Sequence, residues 1–264
     1  MTLLELMEDF RQRVDDEGGD TGTIPAGYSY YWEYSDAGCL WKNKEIVNYF
    51  NWSQNEIALR RPYRDSATAN LCVIPIKANT ARYSLDPLIL SIEEVTLAST
   101  GQSLTKTTVR DLRVWAAGSS SLDINAWKTK TGSPQYYSED VEPGKITLIP
   151  VPVATTDTLL LTVYRLPLEP MDWENRTGDL DEPPAQLREA ILQGALIKAY
   201  QKRDADTADP NLSALHEKQF NLMVGAPVDY QTLENRRWNA NLDTSIIPAG
   251  YSRKSSRRTW MDNA

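Results

Sequence analysis

"KITLIPVPVATTDTLLLTVYRLP", residues 145–167, alternates apolar and polar positions, breaks at two prolines, turns, and alternates again. Successive side chains of a strand point to opposite faces, so Ile146 and Leu148 share a face, as do Leu159, Leu161 and Val163 beyond the turn "PVATTD". Pro150 and Pro152 have no N–H for a ladder, which places them at a strand end or an exposed edge. The stretch predicts a β-hairpin packed on one face. "LCVIPI" and "LILSIEEVTL" carry the same period upstream, making about 70–168 a β-rich segment.

On either side the period becomes helical. Leu3, Met7, Phe10 and Val14 form one stripe, and Thr2 with Glu5 fits a capping box. The aromatic loop "YSYYWEYSDAGCLW" follows, and a second helix is predicted near 43–61, with Ile46, Phe50 and Ile57 on one side and Pro62 as its stop. After "DEPPAQ", Leu187, Ile191, Gly194 and Ile197 line a third helix; Leu212, Leu215 and Leu222 line a fourth over about 208–224, closed by Gly225. Residues 226–264 have no sustained period and read as an extended arm that needs a partner to become ordered. The predicted class is α+β: a four-helix bundle of N- and C-terminal helices, a β-rich insert and the arm. Its parts are 1–69 (two helices and the aromatic loop), 70–168 (the insert), 169–225 (two helices) and 226–264.

The 264 residues carry a net charge of −8, which argues against a general nucleic-acid binder. Within the final stretch Arg253, Lys254, Arg257 and Arg258 face only Asp262, a balance of four less one, or +3, that leaves the rest at −11. An acidic body with a basic tail is the first hint of function. No apolar run approaches the roughly 20 residues of a membrane span. The first residues lack a basic, signal-like region. Cys39 and Cys72 lack metal-like spacing and read as buried thiols in a reducing cytoplasm.

Reactive constellations are scarce. His216 is the one histidine, without a nucleophile elbow to serve, and it reads as a surface or interface residue. No phosphate-cradling glycine motif occurs. Glu93-Glu94 and Glu139-Asp140 read as solvated acids. No catalytic, cofactor or metal site is expected. Of eight tryptophans, Trp41 and Trp52 are expected in the core, whereas Trp238 and Trp260 lie in the arm as candidate docking anchors. One hexapeptide, "IPAGYS", occurs twice, at 24–29 and 247–252. The bland reading is two similar turns; the sharper one is that both copies fit similar grooves on neighbouring subunits.

Four segments in order, "LWKNKEIVNYFNWSQNEIALRRP" (40–62), the element of Trp127, Gly132, Pro134 and Tyr136, "ITLIPVPVATTDTLLLTVYRLP" (146–167) and "PPAQLREAILQGALIKAY" (183–200), resemble the head-to-tail adaptors of short-tailed bacteriophages, a group related to the tubular tail protein A. The likeness covers roughly 40–225. It implies a helical bundle with a β-rich domain, repeated as a dodecameric ring beneath the portal. Such a ring joins the DNA-filled head to the tail nozzle, can hold tail fibres, and does no catalysis. It implies a virion protein at the head–tail junction, assembled in host cytoplasm, through which DNA passes without sequence-specific binding. The resemblance also implies that the C-terminal segment reaches the portal. Ile246, Ile247, Tyr251, Trp238 and Trp260 would supply apolar anchoring, and Arg253, Lys254, Arg257 and Arg258 would steer docking to the portal or a neighbouring subunit. Two alternatives stay open: a tail-completion or fibre-attachment protein, and a glycan-binding or glycan-cleaving virion protein.

Overall fold

The computed structural model describes residues 1–16, 24, 26–36, 38–118, 125–153, 157–180, 182, 184–202 and 207–228. Helix α1 (Leu3–Val14) starts at the expected capping box: Glu5 N–H donates to Thr2 Oγ1 at 3.2 Å and Thr2 N–H donates to Glu5 Oε2 at 3.0 Å. A short α2 (Tyr31–Tyr34) and the long α3 (Asn43–Arg60) follow. Next come β1 (Tyr63–Asp65), the single turn α4 (Ala69–Cys72), β2 (Val73–Pro75), β3 (Arg82–Ser84), β4 (Ile89–Leu97) and β5 (Thr105–Lys106). Helix α5 (Val109–Gly118) precedes β6 (Thr131–Gly132), β7 (Tyr136–Ser138), β8 (Lys145–Ile149), β9 (Val151–Pro152) and β10 (Thr158–Arg165). Helices α6 (Arg188–Tyr200) and α7 (Pro210–Val224) complete the α+β fold.

The hairpin expected at 145–167 does not form. Strand β8 pairs with β3 and β7, whereas β10 pairs with β4 along one edge and with β1 and β2 along the other. Between them, Val151–Pro152 pairs in parallel with β6, so the prolines carry the chain out of one sheet and into another. The one-face alternation holds in β10, but β8 is buried on both faces, at Thr147 and Ile149 as well as at Ile146 and Leu148. Ile146, Leu148, Leu159, Leu161 and Val163 are all buried, and they share one core with Ile92, Val95, Leu97 and Tyr137. Period two chose the faces but not the pairing partners.

Two further features of this region escape a period-two reading. In β4, Ile92 pairs with Val163 and Glu94 with Thr162, leaving Glu93 as an extra residue. That bulge resets the phase, so Ile92, Val95 and Leu97 all face inward. Helix α5 was not anticipated, although "TTVRDL" holds its start signal: Asp111 N–H donates to Thr108 Oγ1 at 3.1 Å, and the hydroxyl donates to Asp111 Oδ2 at 2.8 Å.

A second core gathers residues from both ends of the chain: Leu3, Leu6, Met7 and Phe10 of α1, Ile46, Phe50 and Ile57 of α3, most of α6, and Phe220 and Val224 of α7. Helix α6 is buried on every side, from Ala190 through Ile197 and again at Ala199, so it lacks the single apolar stripe read from the sequence. Its neighbours approach closely at Gly194. A Cβ there would collide with Ser53 Oγ of α3 and come within 3.0 Å of the Phe220 ring of α7.

This approach decides the face of α7. The predicted inward residues Leu212, Leu215 and Leu222 are exposed instead, while Ser213, Phe220 and Val224 are buried. Ser213 Oγ donates to the Ile197 carbonyl at 3.3 Å, and the Phe220 ring fills the space that Gly194 leaves. Trp41 is core as expected, but Trp52 is only half-buried, under the Lys198 ammonium at 4.2 Å from its ring. The arm from 229 onward lies outside the described residues.

Alanine ordinarily favours a helix over glycine by about 1 kcal/mol. Gly194→Ala should nonetheless show a net loss of about 1–3 kcal/mol in urea unfolding, the usual cost of overfilling a core. Ser53→Gly in the same chain should restore part of it, whereas an unchanged midpoint in Gly194→Ala would contradict the close approach.

Candidate functional site

The predicted docking residues Trp238, Ile246, Ile247, Tyr251, Arg253, Lys254, Arg257, Arg258 and Trp260 all lie outside the described residues. The structure places the helix that leads to them. On α7, Leu212, Leu215, Leu222 and Met223 follow a helical spacing along one face, and Leu222 is 77% exposed. Beside this stripe a shallow hollow is lined by Ala214, Glu217, Lys218, Asn221, Leu222 and Ala226. The helix end is held firmly. Arg60 of α3 donates to Asn221 Oδ1 at 2.7 Å and to the Gly225 carbonyl at 2.8 Å, with its guanidinium 4.7 Å from the Phe220 ring. The exposed apolar face thus lies on a helix whose C-terminal end is anchored to α3.

Two buried arginines hold the rest in register. Arg11 is fully buried on α1 and donates to the Asp16 carbonyl and carboxylate, to the Trp41 carbonyl and to Asn43 Oδ1, all within 3.0 Å. Asp16 in turn accepts from the Leu40 and Trp41 N–H groups. These bonds pin the end of the aromatic loop, and Arg11 lies 5.0 Å from the Trp32 ring. The requirement for that loop to be aromatic is therefore internal at Trp32 and Trp41.

Arg165, at the end of β10, joins the sheet to the helices. It donates to Asp65 of β1 at 2.6 Å and grips both oxygens of Glu182 at 3.1 and 2.5 Å. The Glu182 carbonyl accepts from Gln54 of α3 at 3.4 Å. Burial alone would raise the Asp65 pKa. Bonds from the Thr68 hydroxyl, the Ala67 and Thr68 N–H groups and Arg165 outweigh it and hold the carboxyl well below its usual range. Burial, with the Asp65 charge beside it, pushes the Cys72 thiol up to about 11, and burial pushes Tyr63 up to about 12. A partnership spanning 100 residues between Asp65 and Arg165 leaves no local sequence signal.

His216 stacks on Tyr200 with ring centroids 5.6 Å apart, and its Nδ1 lies 2.6 Å from Gln193 Oε1. Burial and then the Arg13 charge lower its pKa, which keeps it a neutral packing residue. Both cysteines are free and buried, as expected. Among the described residues no group of three His, Cys, Asp or Glu side chains could hold a metal ion, and no helix is long and apolar enough to cross a membrane.

Comparison with known families decides the class. Residues 1–245 match the SU10 adaptor protein family. The chain belongs to that family. No curated protein matches it significantly. The adaptor is thus a structural protein of a bacteriophage virion, from a class whose work is contact with other head and tail proteins. The match extends past 40–225 to take in α1, the aromatic loop and the first "IPAGYS"; the second, at 247–252, falls beyond it.

The Arg165 junction has a testable pH dependence. A carboxyl held below its ordinary pKa stabilises the fold above about pH 4, and that contribution is lost as pH falls toward the folded-state value. Urea midpoints should therefore drop below about pH 4, and Asp65→Asn should be less stable at pH 7 with a flatter acid limb. Arg165→Ala, which leaves two carboxylates without their cation, should cost about 3–5 kcal/mol at pH 7.

Proposed function

We propose that the protein is a head-to-tail adaptor whose copies form a ring, a dodecamer, beneath the portal, joining the DNA-filled head to the tail nozzle and passing DNA through its channel. The observation that carries this reading is the match to the SU10 adaptor protein family across residues 1–245. The exposed stripe of Leu212, Leu215, Leu222 and Met223 supports it. That stripe fits a neighbouring copy, because it lies on the helix whose end passes directly into the arm, so one contact would both close the ring and direct the arm.

In this reading the helices of 1–69 and 169–225 form the bundle, 70–168 is the insert, and 226–264 is the docking arm. Trp238, Ile246, Ile247, Tyr251 and Trp260 hold the partner, and Arg253, Lys254, Arg257 and Arg258 steer the approach. The partners are the portal, the nozzle, tail fibres and the chain itself. A body of −11, repeated around a ring, lets DNA slide without sticking. Assembly takes place in host cytoplasm, and the finished ring sits at the head–tail junction.

Co-elution with the cognate portal ring tests the proposal, comparing the full chain with one ending at Pro227. Co-elution only of the full chain is the expected result; binding by neither folded chain would favour a tail-completion protein. Leu215→Asp with Leu222→Asp changes only exposed positions. It should leave circular dichroism and the unfolding midpoint intact while reducing ring assembly at least tenfold by mass photometry.

A further inference from the structure

The repeated hexapeptide is seated, in its first copy, by a small built arrangement. Gly27 turns the chain at φ +97, a left-handed conformation that glycine adopts without strain. Tyr28 then lies with its ring 5.7 Å from the Arg176 guanidinium, which also lies 5.1 Å from the Trp173 ring. The next N–H, of Ser29, donates to Glu33 Oε2 at 2.9 Å, and Arg176 Nε donates to Glu33 Oε1 at 2.8 Å. Glu33 is buried, so its carboxylate is a fixed acceptor with one oxygen for the arginine and one for the incoming backbone. The seat thus engages two consecutive features, a cation-stacking ring and a backbone N–H, that follow a glycine turn.

Gly250, Tyr251 and Ser252 of the second copy offer the same features in the same order. In the resident copy Ile24 is 44% and Tyr28 37% exposed. The second copy is followed by Arg253 and Lys254 where the first is followed by Tyr30 and Tyr31. Asp172, Glu174 and Asp179 flank Arg176 along the chain and are exposed. Arg253 and Lys254 are cationic where Tyr30 and Tyr31 are not, and the carboxylates within a few residues of Arg176 at Asp172 and Glu174 are of opposite sign, whereas Asp179 already pairs with the N-terminal ammonium at 3.2 Å.

We propose that Ile247–Ser252 of one copy of this chain takes the seat of Glu33, Trp173 and Arg176 on a neighbouring copy, displacing that copy's own Ile24–Ser29. The exchange loses and remakes the same ring stacking and the same hydrogen bond, so its direction is set by the extra charge contacts of Arg253 and Lys254. It is a swap between copies of one motif, in which the resident hexapeptide keeps the seat formed until the arm arrives. The proposal rests on the ring reading in so far as a ring brings copies together.

The test uses the full-length protein with a photo-crosslinking phenylalanine analogue at Tyr251, in an equal mixture of isotope-labelled and unlabelled chains. The expected result is a cross-link between differently labelled chains, mapped to 173–176 or to Glu33. Tyr28→Ala, which removes the resident ring from the Arg176 guanidinium and so weakens the resident copy's hold, should raise its yield at least threefold, and Arg253→Glu with Lys254→Glu should lower it similarly. Cross-links confined to one chain, mapped elsewhere, or indifferent to Tyr28→Ala would overturn the proposal. Mass photometry of the same sample separates the two readings: rings with cross-links elsewhere sink the swap alone, whereas the absence of any oligomer sinks both.

Discussion

Helix α6 has almost no surface of its own, and the helical half of the molecule is arranged around that fact. A helix buried on every side needs neighbours on every side, and here they come from opposite ends of the chain. At Gly194 α3 and α7 come so near that only a hydrogen atom fits between Ser53 and Phe220. The contact sets the rotation of α7. With Phe220 inward, the leucine stripe must face outward, and the surface of the adaptor follows from a core constraint.

Buried charge does the joining that apolar packing leaves undone. The helical core and the sheet core are separate clusters, each filled by its own side chains. Arg165 spans them by pairing with a strand residue on one side and with Glu182 on the other, and Gln54 continues the chain of bonds into α3. Such pairs add little net stability, because desolvation offsets attraction, but they penalise any other arrangement heavily. That suits a structural protein, whose two cores are held in one relative orientation. Arg11 acts similarly for the aromatic loop, which is why a stretch rich in rings contributes Trp32 and Trp41 to the interior.

The two surfaces left over, the α7 stripe and the hexapeptide seat, face different needs. The stripe is apolar and rigidly backed, suited to permanent burial. The seat is polar, shallow and already occupied, suited to exchange.

Much of this was legible in the sequence, and the remainder was not for identifiable reasons. The capping box at Thr2 and Glu5, the stripe of Ile46, Phe50 and Ile57, and the inward positions of 145–167 depend on residues within a few positions of one another, so spacing alone determined them. Tertiary structure alone decided that β8 and β10 lie in different sheets, because alternation marks a face and carries no record of the partner strand. It alone turned Leu212, Leu215 and Leu222 outward, because two faces of α7 could each be read as apolar and a glycine on another helix selects between them. It alone brought Asp65, Arg165 and Glu182 together, since a charge pair formed across 100 residues has no period to read.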